Sequence, residues 1–274
     1  MKDLTIVVCA KNSEGLMENC LREIKRNTPE SELIVVDADS TDRTAEIARQ
    51  YADKVVSDHR QGLSVARQLG IDEASNDFVA FISPDNVLSR ETLEKLMEAL
   101  KRDEKIAGVQ PVTVLKNPKS YWEKSTKEIF ELLLNSVGPV DVIGTPCIFR
   151  KKIVSVLRYD PEITKGADDT ALCLKLINAG FKLERVNAVS FEEQRLNFRD
   201  FFARWKFYGQ GDAQFYRKYS PTWKFPRKLK SLFHPFRKYV WRGFWTSLKK
   251  GKIALWPALL VAVFARYYGW WRAK

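Results

Sequence analysis

The chain has 274 residues, 45% of them hydrophobic, and a formal net charge of +12. That length allows one large domain, or one domain with an extension, built on a sizeable core. Four widely spaced cysteines form no C-x-x-C, and there are only two histidines, His59 and His234. These counts argue against a disulfide framework, a zinc site and a histidine-based triad, and suggest a reducing, cytosolic setting.

The charge is unevenly spread. Residues 195–274 hold 19 Lys/Arg against 2 Asp/Glu, while residues 1–194 hold 27 against 32. Of 33 aromatic residues, 23 lie in the last 80. The chain therefore carries two compositions, with a break near residue 195.

The N-terminal run LTIVVCA (4–10) is too short for a secretory signal and reads as a buried strand. Apolar residues at 16, 17, 20, 21 and 24 predict a helix over 14–27. A strand over 32–36 runs into DADSTD (37–42), and a helix over 44–51 follows. A short strand at 54–57 and QGLS (61–64) lead into a helix over 65–74. FVAFISPDN (78–86) begins as a strand buried on both faces and turns polar at Ser83. Ser89 is placed to cap a helix ending near Lys101. Strands alternating with helices of this length predict βαβ units and a mostly parallel sheet.

Beyond residue 105 the pattern loosens. IAGVQPVTVL (106–115) reads as a strand with Pro111 at a bulge or an edge. A helix is predicted over 121–135, then a loop and strand over 140–150. GADD (166–169) opens a helix over 170–179, closed by Gly180. One or two strands fill 181–191. Residues 197–219 read as an amphipathic helix interrupted near Gly209 and Gly211.

Three acidic clusters stand at element ends: Asp37/Asp39, Asp85 and Asp168/Asp169. Singly, residues 39–42 and Asp168/Asp169 also fit helix capping, and Asp85 fits a turn before the next helix. Together they suit a ligand bearing phosphates, whose charge a hard, oxygen-ligated cation such as Mg²⁺ or Mn²⁺ neutralises.

Four segments carry a family resemblance. VVDADSTDRT (35–44), RQGLSVARQLGI (60–71), FVAFISPDN (78–86) and GADDTALCLKLINAGFKL (166–183) resemble, in order and spacing, the motifs of the family 2 glycosyltransferases. The likeness runs over about residues 3–210. It implies an α/β GT-A fold (Rossmann-like, a mostly parallel sheet flanked by helices) with a helical, basic and aromatic C-terminal extension. It also implies a nucleotide-sugar donor, UDP- or GDP-linked, and an inverting transfer to a glycan or lipid-linked acceptor. Residues 1–220 are expected to form the catalytic domain, with 1–115 as its nucleotide-sugar-binding half and 116–220 as its acceptor half. Residues 221–274 are expected to form the extension.

The resemblance also implies site residues. Ala10, Asn12, Asp37 and Asp39 border the nucleotide, and Arg67 lies near the nucleotide and diphosphate. Asp85 matches the metal-facing acid of D-x-D, Asp169 the catalytic base, and Asp168 its acidic neighbour. Gly144 and Thr145 lie on the acceptor side. A carboxylate at the start of a helix is expected to be kept ionised by backbone donors. Two departures stand out. Ser83 replaces the first Asp of D-x-D, and no histidine follows the base helix, where Glu192 or Glu193 is left to supply an oxygen ligand. An inactive sugar-nucleotide-binding scaffold is the rival reading these departures support. A polyprenyl- or dolichyl-phosphate acceptor is the rival within the same chemistry, and such a nucleophile needs no base.

The tail interleaves Lys/Arg with aromatics over 224–252, a mixture that fits either nucleic acid or anionic lipid. Thirteen apolar residues at 253–265, followed by YYGWW (267–271), favour a membrane surface over nucleic acid. An interfacial or re-entrant helix is expected there, against a spanning or a protein-buried one. That places the enzyme at the cytoplasmic face of the cell membrane. Oligomeric state is not legible.

Overall fold

The computed structural model describes residues 1–273, and their contacts divide into two compact units. The first comprises Met1–Thr113, Val137–Thr164 and Asp168–Glu193. The second comprises Val114–Ser136, Lys165–Ala167 and the chain from Gln194 on. The division at 193/194 falls at the compositional break near 195. It differs from the expected division at 220, because the helix Phe198–Tyr219 has its packing partners in the second unit.

The first unit is a sheet with helices on both faces. Its strands are β1 (Leu4–Ala10), β2 (Glu32–Asp37), β3 (Lys54–Ser57), β4 (Phe78–Phe81), β5 (Asn86–Leu88), β6 (Ile106–Leu115, of which Val114 and Leu115 are counted in the second unit), β7 (Gly138–Pro139), β8 (Cys147–Arg150) and β9 (Lys182–Glu192). They lie in the order β3-β2-β1-β4-β8-β6-β9-β5, with β7 beside β9. β3, β2, β1 and β4 run parallel. From β4 on, the pairs β4–β8, β8–β6, β9–β5 and β9–β7 are antiparallel. The sheet is thus parallel only in its first half, where each return is made through a helix. Pro111 lies in β6 just past the stretch paired with β8, which ends at Val109, so its missing N–H breaks no bond to that strand.

The helices are α1 (Glu14–Asn27), α2 (Thr44–Tyr51), α3 (Leu63–Glu73), α4 (Arg90–Arg102), α6 (Lys151–Leu157) and α7 (Asp168–Asn178), with α5 (Tyr121–Ile129) in the second unit. Alternate strand residues face opposite layers. Leu4, Ile6 and Val8 pack with Met17, Leu21, Leu93 and Leu96. Val7, Ile34, Val36 and Phe81 pack with Ile71, Ile153, Leu172 and Leu176. The α3 helix comes close to β1 at Gly70, where any Cβ would overlap the Val7 side chain. Ser89 caps α4 as expected, accepting from the Thr92 N–H at 3.2 Å.

The second unit is helical. It holds α5, which continues as a π-helical turn over Phe130–Leu134, with α8 (Phe198–Tyr219), α9 (Phe225–Leu232), a π-helical turn over Phe236–Arg242, α10 (Gly243–Lys249) and α11 (Trp256–Arg272). Ile129, Leu133, Phe201, Trp205, Tyr239, Leu259, Ala262 and Val263 form its core. Here α8 is one continuous helix of 22 residues, not an interrupted one. Its glycines are contact points. A Cβ at Gly209 would enter the Arg266 carbonyl, and one at Gly269 would enter that of Lys206. The α8 and α11 backbones therefore touch. Beside this crossing Arg266 is bonded to Asp212, with Nη2 to Oδ1 at 2.8 Å, and to the Tyr239 hydroxyl at 3.3 Å.

Candidate active site

β2, β1 and β4 are neighbours and run parallel, so their carboxyl ends deliver three loops to one edge of the sheet. The β2 end carries Asp37, which is buried and accepts from the Ser40 N–H at 2.9 Å and the Ser40 hydroxyl at 2.6 Å. The β1 end carries Ala10 and Asn12. Ala10 is buried and its carbonyl accepts from the Ala38 N–H at 2.9 Å, so it anchors the Asp37 loop. Asn12 has a left-handed backbone, φ 48°, and accepts from the Thr41 N–H at 2.9 Å. Asp39, also at φ 48°, accepts from the Ser57 hydroxyl at 2.5 Å, and Arg60 donates to its carbonyl at 3.0 Å. Asn and Asp tolerate this conformation better than other side-chain-bearing residues. Asn12, Asp37 and Asp39 thus line one rim, in which the Ser40 hydroxyl accepts from the Asn12 N–H at 2.9 Å and donates to Asp37 at 2.6 Å.

The β4 end makes a tight turn. The Ser83 N–H donates to Asn86 Oδ1 at 3.1 Å, and the Asn86 N–H donates to the Ser83 carbonyl at 2.9 Å. The turn presents Asp85, whose carbonyl accepts from the Glu193 N–H at 2.7 Å. Asn86 stands opposite Glu192 in the β5–β9 register. Asp85, Glu192 and Glu193 therefore come from one corner of the sheet, although they are about 107 residues apart in sequence. Among the described residues no group of three or more His, Cys, Asp and Glu side chains gathers as a ready-made metal cage. A corner offering carboxylate oxygen without His or Cys fits a hard cation that takes its remaining ligands from phosphate and water.

A third cluster lies at the other side of the β4 end. Arg67, on α3, is buried, and its guanidinium donates to both Asp168 and Asp169 and, at 2.7 Å, to the Thr145 hydroxyl. It also lies over the Tyr159 ring, 5.7 Å from the centroid. Burial alone would weaken its charge, but the two carboxylates hold it firmly protonated. The Asp168 side chain is 3% exposed and that of Asp169 is 29% exposed. Burial, assisted by the like charge of Asp168, pushes the Asp169 carboxyl up to about 6, against the pull of Arg67. The expectation that backbone donors at the helix start hold Asp169 ionised is thereby corrected. Desolvation works against ionisation there, and the Arg67 guanidinium is what favours it. Arg67, expected near the diphosphate, is turned toward the acids, since a buried guanidinium needs a counter-charge.

Gly144 makes room for this carboxylate: a Cβ there would stand 2.6 Å from Asp169 Oδ2. A small cleft of about 50 Å³ opens beside the cluster, lined by Cys9, Leu63, Arg67, Ile82, Ser83 and Thr145. Burial pushes the Cys9 thiol up to about 12, so it is no nucleophile at neutral pH. The arrangement has one carboxylate able to exchange a proton near neutrality, a fixed cation beside it, and a cleft that runs from Arg67 to Ser83, the residue that starts the Asp85 turn.

Two contributors were not legible in the sequence. Tyr159 reaches Arg67 from a loop without any motif. Asp58 is buried and accepts from the N–H groups of Arg60, at 3.0 Å, and Gly62, at 3.2 Å, shaping the loop into α3. Its only signal is the turn composition of DHRQG (58–62).

Residues 5–158 match the family model described as glycosyl transferase family 2. The chain belongs to that family. The match takes in the Asp37, Arg67 and Asp85 segments and ends before α7. Among curated relatives of this glycosyltransferase, the O-antigen chain rhamnosyltransferase WbaN of Salmonella anatum is 25% identical over 288 aligned residues, covering 90% of this chain and 88% of WbaN. Among solved structures, a mannosyltransferase from Pyrobaculum calidifontis, in complex with GDP-Man and Mn²⁺, superposes with a TM-score of 0.66 at 20% identity, covering 96% of this chain and 73% of that one. TarS 1–349 of S. aureus, in complex with UDP-GlcNAc, gives a TM-score of 0.57 at 15% identity, covering 98% and 90%. The glycosyltransferase thus has the expected GT-A fold, a mixed α/β domain followed by helices.

Proposed function

We propose that this glycosyltransferase performs an inverting transfer from a UDP- or GDP-linked sugar to a hydroxyl of a glycan or lipid-linked acceptor at the cytoplasmic membrane face. The observation that carries the reading is the Asp169 carboxyl, raised to about 6 and set beside a cleft that Arg67 and Ser83 line. A general base works best with a pKa near the working pH. Asp169 takes the proton of the acceptor hydroxyl as the oxygen attacks the anomeric carbon on the face opposite the leaving group. Arg67 keeps Asp169 ionised and, through Thr145, fixes the loop at 143–146 beside it. The rim of Asn12, Asp37 and Asp39 receives the nucleoside end of the donor. Asp85, with Glu192 or Glu193, would hold the divalent cation, Mg²⁺ or Mn²⁺, which when bound would offset the charge that develops on the departing diphosphate. The mannosyltransferase of similar fold, solved with Mn²⁺ and GDP-Man, supports the cation and the class of donor.

A base poised near neutrality also favours a hydroxyl acceptor over a lipid phosphate, which is already a nucleophile. The test is a screen of UDP- and GDP-sugars for thermal stabilisation with and without Mn²⁺. A ligand at 100 times its Kd stabilises by about 2.7 kcal/mol. One donor class should raise the melting temperature, and more so with the cation. No shift with any nucleotide sugar would contradict the reading.

A further inference from the structure

The membrane-contacting element suggested by the sequence is the apolar run at 253–271, which forms a 3-10 turn over Ile253–Leu255 followed by α11, and by length and composition Ile253–Arg272 is apolar enough to cross a bilayer. Its position within the second unit argues otherwise. One face, through Ala258, Leu259, Ala262, Ala265 and Gly269, is buried, and its backbone touches α8 at Gly269. Arg266, in the middle of the helix, is bonded to Asp212 of α8. The α11 helix therefore has protein partners along its length.

The opposite holds for α9, which buries no residue at all. At 100° per residue, Phe225, Leu229, Leu232 and Phe233 fall within an arc of about 100°, and Arg227, Lys228 and Lys230 fall on the remaining circumference. Phe225 is 75% exposed and Phe233 51% exposed. The helix is nevertheless fastened at both ends. The Arg227 guanidinium lies over the Trp223 ring, 4.5 Å from its centroid, and the Tyr267 hydroxyl donates to the Leu232 carbonyl at 2.9 Å. A fixed helix that presents an aromatic, apolar face and is flanked by cations matches the physics of an interfacial helix. Downstream, Trp241 and Trp245 form a second exposed aromatic pair, with ring centroids 6.5 Å apart, among Arg237, Arg242 and Lys249.

The geometry points to α9 as the docking element, and to an anionic lipid surface as its partner. The charge decides the occupant. Residues 224–252 hold ten Lys/Arg and no Asp/Glu, so a second copy of this face would meet it with like charge, whereas acidic headgroups complement it. Phe225, Leu229 and Phe233 enter the headgroup–acyl boundary, and Arg227, Lys228 and Lys230 stay at headgroup level with their stems along the surface. The inference concerns where the protein attaches and is read without any sugar transfer, so it stands or falls separately from the proposed reaction.

The test is co-sedimentation of the full chain with vesicles of phosphatidylcholine alone and of phosphatidylcholine with phosphatidylglycerol at 7:3. Binding is expected with the anionic vesicles and at least tenfold weaker with the neutral ones. Burying one Phe or Leu side chain is worth roughly a tenfold or larger change in partition. Phe225→Ser with Leu229→Ser should therefore lower anionic-vesicle affinity by about two orders of magnitude, with melting unchanged because both side chains are exposed. Arg227→Gln with Lys228→Gln and Lys230→Gln should remove the preference for anionic vesicles. Leu260→Gln with Phe264→Gln, on the exposed face of α11, should leave binding as it is. The inference is overturned if the α9 variants bind as the full chain does, if the α11 variant alone loses binding, or if the α9 variants change the oligomeric state and not vesicle affinity.

Discussion

Replacing Arg67 by Met keeps most of the side-chain volume and removes the charge. In the wild type the guanidinium faces two carboxylates, one of them 3% exposed, and also the Thr145 hydroxyl. Without it, Asp168 and Asp169 share a poorly solvated site with no counter-charge. Removing one partner of a buried ion pair typically costs about 3–5 kcal/mol. For a chain of this size about 1 kcal/mol corresponds to roughly 2–4 °C, so the melting temperature should fall by roughly 6–20 °C at pH 7.5. The pH dependence carries the specific signature. The Asp169 carboxyl already sits near 6, held there by burial against the pull of Arg67. Loss of Arg67 raises it further, because both burial and the like charge of Asp168 then act unopposed. A carboxyl with its folded pKa above its unfolded pKa binds more protons when folded, so stability falls as pH rises between the two values. The stability deficit of Arg67→Met should therefore be largest at pH 8 and shrink toward pH 5. In activity, the acid limb of kcat/KM should lie near 6 in the wild type and move to higher pH in the variant. Thermal melts across pH 5–8 and the kcat/KM profile give both readouts. A deficit that does not vary with pH, or an acid limb that stays at 6, would refute the assignment of Arg67 as the group that sets the charge on Asp169.

Asp85→Asn should make donor-induced stabilisation independent of Mn²⁺ and reduce transfer by about 10²-fold or more, consistent with losing several kcal/mol of charge stabilisation. Titration of Mn²⁺ against donor-dependent melting checks this. Gly209→Ala puts a methyl group into the Arg266 carbonyl, so α8 and α11 must part. It should destabilise the second unit by about 1–3 kcal/mol or more, read by urea unfolding of the full chain.

Much of the first unit was legible because its signals are local. The apolar runs at 4–10 and 78–81, the helical spacing over 14–27 and the cap at Ser89 each depend on residues close in sequence. The clustering of Asp37 and Asp85 at one sheet edge followed from their positions at the ends of strands. What was not legible depends on residues brought together by the fold. Arg67 and Asp168 are 101 positions apart, and no local pattern announces their pairing. β5 and β7 are two or three residues long, too short for any alternation to show. Gly209 and Gly211 read as helix breakers because their role, admitting another backbone, belongs to the partners Arg266 and Lys165. For the apolar run at 253–265, hydropathy reports that a face must be covered; α8 covers one face of it, while Leu260 and Phe264 on the other stay exposed.

The central claim, that Asp169 is the base of a glycosyl transfer, is tested most directly by Asp169→Asn in single-turnover transfer alongside donor affinity measured by calorimetry. The account predicts a loss of roughly 10²–10⁴-fold in the transfer rate, with donor affinity retained. Transfer at near wild-type rate, or donor affinity lost in proportion to the rate, would contradict it.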